Sequence, residues 1–165
     1  HHRRGGLIVG LCGGYQMLGR RIADPLGIEG EAAEVAGLGL LDVETILSPA
    51  KTLRHVNGTA LGVAVEGYEM HMGETRGPGI ARPFATLGDD AKDGAMDAAG
   101  NVIGSYLHGI FALPEFRRAL LARIGVAGSG GDYTADVDAA LDDIAAEFAA
   151  HADIDAMLSI AGVGA

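Results

Sequence analysis

The sequence predicts an α/β domain built around a buried parallel strand. Three observations carry that reading. Residues 7–11 are a short continuous apolar run, the pattern of a central parallel strand buried on both faces. A glycine-rich turn follows at once, then a helix-period segment over residues 15–22 with Tyr15, Leu18 and Ile22 on one face. A second strand pattern over 102–107 and a second helix pattern over 114–123 recur downstream.

Composition bounds the rest. A chain of 165 residues is one domain's worth of protein with enough bulk for a core. Hydrophobic residues at 48% and charged residues at 21% fit a folded chain, not a disordered one. Twelve Lys and Arg against 22 Asp and Glu give a net charge of −10, so no broad basic face exists to bind nucleic acid phosphates. Gly at 27 residues points to tight turns and close backbone approaches. The lone Cys12 cannot form an internal disulfide. The 7–11 run is too short to span a bilayer or to serve as a signal-peptide core, so a cytoplasmic setting is expected. The chain opens His1-His2-Arg3-Arg4-Gly5-Gly6 without an initiator Met. This reads either as a tag remnant or, preferably, as the exposed end of a helix with Gly5 as its C-cap and more protein upstream.

The turn after the first strand is Gly10-Leu11-Cys12-Gly13-Gly14, the cysteine form of the G-x-S-x-G nucleophile elbow. Glycines flank the nucleophile where side chains would collide with strand or helix. The helix N-terminus aims free N–H groups at the sulfur, and the N–H of Gly13 is placed to be an oxyanion donor. The competing reading is a buried structural cysteine in a glycine-rich turn. His108 falls where the 102–107 strand ends, a usual place for a catalytic base, although it is one of six histidines and by position alone reads more readily as structural. A Cys–His pair is the minimal activated nucleophile: the imidazole takes the thiol proton and returns it to the leaving amine.

Residues 67–73, Gly67-Tyr68-Glu69-Met70-His71-Met72-Gly73, alternate as a half-buried strand. Glu69 and His71 either form a plain polar face or lie near the active site. His71 has no second or third ligand at metal-binding spacing, and no metal is expected. Residues 76–79 and 87–90 are turn-rich, and 95–96 with 102–107 reads as a hairpin around a 97–101 turn. Arg117, Arg118 and Arg123 suit helix capping better than phosphate binding. Residues 125–131 read as a connector. Beyond it, Val137, Leu141, Ile144 and Phe148 define one helix and Ile154, Met157, Leu158 and Ala161 a shorter one. This 132–165 segment is expected to pack on the 1–124 domain; the competing reading makes it a docking surface.

With Cys12 and His108 placed, the elbow followed by Tyr15 and Gln16 resembles the nucleophile motif of class I glutamine amidotransferases. Three runs narrow the resemblance to the amidotransferase domains of the cobyric acid synthase family: 14–19, 67–73 and 105–111. The shorter runs 24–30, 37–41 and 51–53 agree, so the resemblance covers nearly the whole chain. It implies a flavodoxin-like domain whose first strands lie outside this sequence, making the chain a C-terminal fragment. It implies that Cys12 attacks glutamine, that His108 moves the proton, and that Gln16 helps hold the substrate. Ammonia would pass to an N-terminal synthetase domain that uses ATP and magnesium. That domain would amidate side chains b, d, e and g of adenosylcobyrinic acid a,c-diamide, a corrinoid. No phosphate loop of the G-x-x-x-x-G-K-[ST] type occurs here, so no cofactor is expected in this chain itself. Many class I members carry Glu two residues after the catalytic His. Here Ile110 stands there, as is usual in the cobyric acid synthase branch, and Glu69 is a candidate substitute. The alternatives are a sister amidotransferase, such as cobyrinic acid a,c-diamide synthase or a cell-wall amidating enzyme, and an inactive fragment or interaction module.

Overall fold

The computed structural model of the chain describes residues 1–128 and 131–163. It divides into two compact units, His1–Gly130 and Gly131–Ala165. Ser129 and Gly130, inside the connector expected at 125–131, lie outside the described residues.

The first unit opens with a 3-10 turn, His2–Arg4, closed by Gly5 in the left-handed region at φ 73°, as the sequence expects of that glycine. Next come β1 (Ile8–Leu11), α1 (Gly13–Leu18), β2 (Arg21–Asp24) and β3 (Ala33–Ala36). A long hairpin follows, β4 (Glu44–Ala60) and β5 (Val63–Arg76). The short strands β6 (Ala85–Leu87), β7 (Lys92–Asp93), β8 (Ala95–Met96), β9 (Val102–Ser105) and β10 (Leu107–His108) lead into α2 (Pro114–Ala122).

Two sheets result. One has the order β1-β9-β8, with β1 parallel to β9 and β8 antiparallel to it. The other runs β10-β5-β4-β2-β3, with β6 joined to β4 and β7 to β6. Among the described residues β1 pairs with β9, and its Gly10 is buried. The fold is mixed α/β, as expected, but two local expectations are corrected. The first helix stops at Leu18, because Gly19 is extended and Arg20 donates from its N–H to Val43 O at 2.8 Å. Ile22 therefore sits in β2, between β3 and β4, where strand pairing overrides helical periodicity. The strand expected over 102–107 breaks at Tyr106, and its two pieces join different sheets. The hairpin of β8 with β9 forms as expected, closed by Asp97, whose carboxylate accepts from Val102 N at 2.8 Å.

The β4–β5 turn is Leu61-Gly62, both at positive φ (53° and 79°), the backbone a two-residue hairpin needs. One core cluster joins Val56, Val65, Phe84, Ile103, Leu107 and Phe116; burying Phe116 alone contributes about 1.5–3 kcal/mol. The other joins Tyr15, Leu18, Val43, Val102 and Tyr106. Helix α2 ends at Ala122, which leaves Ile124 outside it and 53% exposed. Its arginines bond loop carbonyls and a neighbouring carboxylate. Arg117 donates to Phe111 O and Ala112 O, Arg118 pairs with Glu115, and Arg123 donates to Gly100 O.

Gly104 in β9 is a close-approach position. A Cβ there would lie 2.0 Å from Tyr15 Cδ2, and the Tyr15 ring is buried edge-on against Tyr106. Gly104→Ala is expected to cost about 1–3 kcal/mol by overpacking. A denaturant midpoint equal to wild type would show that Tyr15 does not press on β9.

In the second unit, α3 (Tyr133–His151) is capped by Asp132, which accepts from Thr134 N and Ala135 N. The shorter α4 (Ile154–Ala161) is capped by Asp153, which accepts from Ala156 N, and ends at Gly162 with φ 70°. Both helices match their expected spacing. Leu141, Ile144 and Phe148 stand exposed along α3. Among the described residues no helix is long and apolar enough to cross a membrane.

Candidate active site

Cys12 is the N-cap of α1 and sits at φ 52°, ψ −116°, a conformation a side chain seldom adopts. The strand-turn-helix geometry forces it, and Gly10 makes it possible. A Cβ on Gly10 would lie 2.7 Å from Gly14 C and O and 2.6 Å from Leu18. The second flanking glycine differs from expectation: a Cβ on Gly14 would meet nothing within 4 Å. The close contact is therefore one-sided, with the strand glycine making room for the helix. Cys12 N donates to Ser105 O at 2.9 Å, and its thiol donates to Met70 O at 3.6 Å. Gly13 is exposed at the first position of α1, where helix geometry leaves its N–H without an intrahelical partner.

His108 reaches the same place from the other sheet. It pairs with Tyr68 across β10–β5, its ring stacks on the Tyr68 ring at 5.1 Å, and Leu107 pairs with Glu69. Among the described residues, the His108 Nε2 is the buried side-chain polar atom left without a hydrogen-bond partner. A buried polar atom left unpaired is uncommon and calls for an explanation. The Cys12 thiol and the His108 ring thus converge on one stretch of β5, Tyr68 to Met70, although they belong to different sheets.

The other expected residues lie around this stretch. Gln16 Nε2 donates to Tyr106 Oη at 3.4 Å, and Tyr106 Oη is 2.6 Å from Thr75 Oγ1. The side chains of Glu69 and His71 are 14% and 13% exposed, whereas Tyr68 is 42% exposed. Glu69 does not substitute for the glutamate missing at position 110. It accepts from Arg54 Nε at 2.7 Å and lies 3.1 Å from His71 Nε2, and no hydrogen bond joins it to His108. His71 Nδ1 faces Gly73 O at 3.1 Å, and its ring stacks on Tyr106 at 4.1 Å. Both His71 nitrogens face acceptors, so both bonds form together only in the doubly protonated ring. Ile110 is 1% exposed in the core.

One group of the site was not singled out from the sequence. Asp93 is buried, accepts from Ser105 Oγ at 2.6 Å and from Tyr106 N at 3.1 Å, and sits at the end of β7. Burial pushes its carboxyl above the ordinary range, with the nearby Glu69 adding to the rise, while the two hydrogen bonds and His71 act against it. Burial likewise pushes the Tyr15 hydroxyl up, with Tyr106 and Asp93 adding to it. The available signal was the Asp93-Gly94 turn pair, which sequence patterns mark only as a loop. In the 24–30 run, Asp24 accepts from Ile28 N and Glu29 N, which holds its carboxyl below the ordinary range and folds the loop on itself. No group of three or more His, Cys, Asp or Glu among the described residues could hold a metal ion.

A cysteine at a strand–turn–helix elbow and a half-buried histidine whose Nε2 has no partner thus meet at β5. Residues 1–116 match the CobB/CobQ-like glutamine amidotransferase domain, and the chain belongs to that family. Its relatives are more particular. It is 70% identical over 161 residues to the cobyric acid synthase of Sphingopyxis alaskensis, covering 98% of this chain and 33% of that protein. It is 63% identical over 164 residues to the cobyric acid synthase of Rhizorhabdus wittichii, covering 99% and 34%. With that of Novosphingobium aromaticivorans the identity is 59% over 161 residues, covering 98% and 33%. The chain therefore spans about a third of the length of these relatives.

Proposed function

We propose that this chain is the glutamine-hydrolysing part of a cobyric acid synthase. The convergence of Cys12 and the unpaired His108 Nε2 on β5 is the observation that carries the reading. The Cys12 proton moves to His108 and the sulfur attacks the glutamine side-chain carbon. The resulting C–O⁻ is met by the Gly13 N–H. The C–N bond breaks and the nitrogen leaves as ammonia with the proton returned by His108. Water then adds to the thioester, giving glutamate and the free thiol. Gln16, held against Tyr106, orients the bound glutamine. The ammonia passes to the synthetase part of the full-length protein, which amidates side chains b, d, e and g of adenosylcobyrinic acid a,c-diamide. ATP and magnesium serve that part.

The test is covalent labelling of the full-length protein with 6-diazo-5-oxonorleucine, mapped by mass spectrometry. Modification of Cys12 that free glutamine suppresses is the expected result. Absence of labelling, or labelling that glutamine leaves unchanged, would overturn the reading.

A further inference from the structure

We propose that Asp93 is a positioning residue for the Cys12–His108 pair, acting through the Ser105–Leu107 bend. The proposal rests on the amidotransferase reading of the site. The chain passes between the two sheets twice in this region. It leaves the larger sheet at Asp93-Gly94, between β7 and β8, and returns at Tyr106, between β9 and β10. The two crossings touch. A Cβ on Gly94 would lie 2.0 Å from Gly104 O, and the Asp93 carboxylate bonds both Ser105 and Tyr106.

At a crossing between sheets, ladder partners run out and backbone N–H groups need other acceptors. Asp93 supplies them. Its Oδ1 accepts from Tyr106 N, while its Oδ2 accepts from Ser105 Oγ. Ser105 Oγ, turned by that bond, accepts from Leu107 N at 3.0 Å. One buried carboxylate thus fixes the backbone on both sides of Tyr106. His108 is the next residue after Leu107. On the other side, Ser105 O receives the N–H of Cys12. Both reacting side chains therefore hang from the segment that Asp93 holds. A buried carboxylate is costly to keep, and a shift of about 1 Å in a reacting group lowers rates about 100-fold.

The test uses the full-length protein, with glutamine-dependent and ammonia-dependent amidation measured side by side. For Asp93→Ala, the glutamine-dependent kcat is expected to fall at least about 100-fold, with KM for glutamine within about 3-fold and the ammonia-dependent rate unchanged. Asp93→Asn keeps an acceptor for Tyr106 N and a polar group beside Ser105, and is expected to recover kcat to within about 10-fold of wild type. A wild-type kcat in Asp93→Ala overturns the proposal, as does a loss that Asp93→Asn does not mend. If Asp93→Ala does not fold, Ser105→Ala decides. It keeps the Asp93–Tyr106 bond, and a kcat lowered about 10-fold at unchanged KM supports the role, whereas an unchanged kcat overturns it. Cys12→Ala run alongside separates the two readings. If that variant still uses glutamine, the amidotransferase assignment fails; if it does not, a wild-type Asp93→Ala removes only the positioning role.

Discussion

Cys12→Ala is expected to abolish glutamine-dependent amidation in the full-length protein and to leave ammonia-dependent amidation at the wild-type rate. The chemistry assigned to this chain ends when ammonia is free, so supplied ammonia bypasses the missing thiol. Alanine has no electron pair to attack the amide, and these 165 residues hold no second cysteine to replace it. Loss of a nucleophile from a site whose groups act as a unit costs at least about 10³-fold in kcat. The fold should survive, because the thiol makes a single long contact, 3.6 Å to Met70 O. Steady-state assays with each nitrogen source check the pair of results. Glutamine use that persists, or ammonia use that disappears, would sink the assignment of Cys12.

Ile110→Glu is expected to unfold or strongly destabilise the domain, not to complete a Cys–His–Glu triad. The position two residues after His108 carries a side chain 1% exposed, inside the cluster with Leu107 and Phe116. A glutamate there would bury a charge with no partner, at a cost of about 3–5 kcal/mol. Ile110→Val, which only removes a methylene, should cost about 0.5–1.5 kcal/mol and calibrates the comparison. Urea midpoints of the two variants check this. A Glu variant as stable as wild type, with a raised glutamine-dependent kcat, would show that the ring of His108 does accept an acidic orienter. In the structure the ring is instead oriented by its stack on Tyr68 and by the pairing of β10 with β5.

The elbow was legible because its chemistry is local. A strand, two glycines around a cysteine and a helix occupy adjacent positions, and each obeys a short-range rule. His108, one of six histidines, was not legible from its position alone; the resemblance of the 105–111 run singled it out. What the sequence hid is set by distant partners. Ile22 has helical spacing from Tyr15 and Leu18, yet it is a strand residue because Val43 captures the N–H of Arg20. The β4–β5 hairpin turns on Leu61-Gly62, which carries no Asn-Gly or Asp-Gly mark. Asp93 is twelve residues from Ser105 and looks like any turn aspartate until the two sheet crossings are brought together. Glu69 failed as an orienter for a similar reason: its neighbours in space are Arg54 and His71, and strand register decides that.

The backbone at position 12 says something about what has kept this residue in place. At φ 52°, ψ −116° a side chain is strained by about 1–3 kcal/mol, and glycine would occupy the same angles at ease. Selection for folding alone would drift this site toward glycine and gain stability in doing so. On the function proposed here, the chemistry of the thiol is what offsets that strain. A lineage released from the need for glutamine would lose the thiol early and would be the sturdier for it.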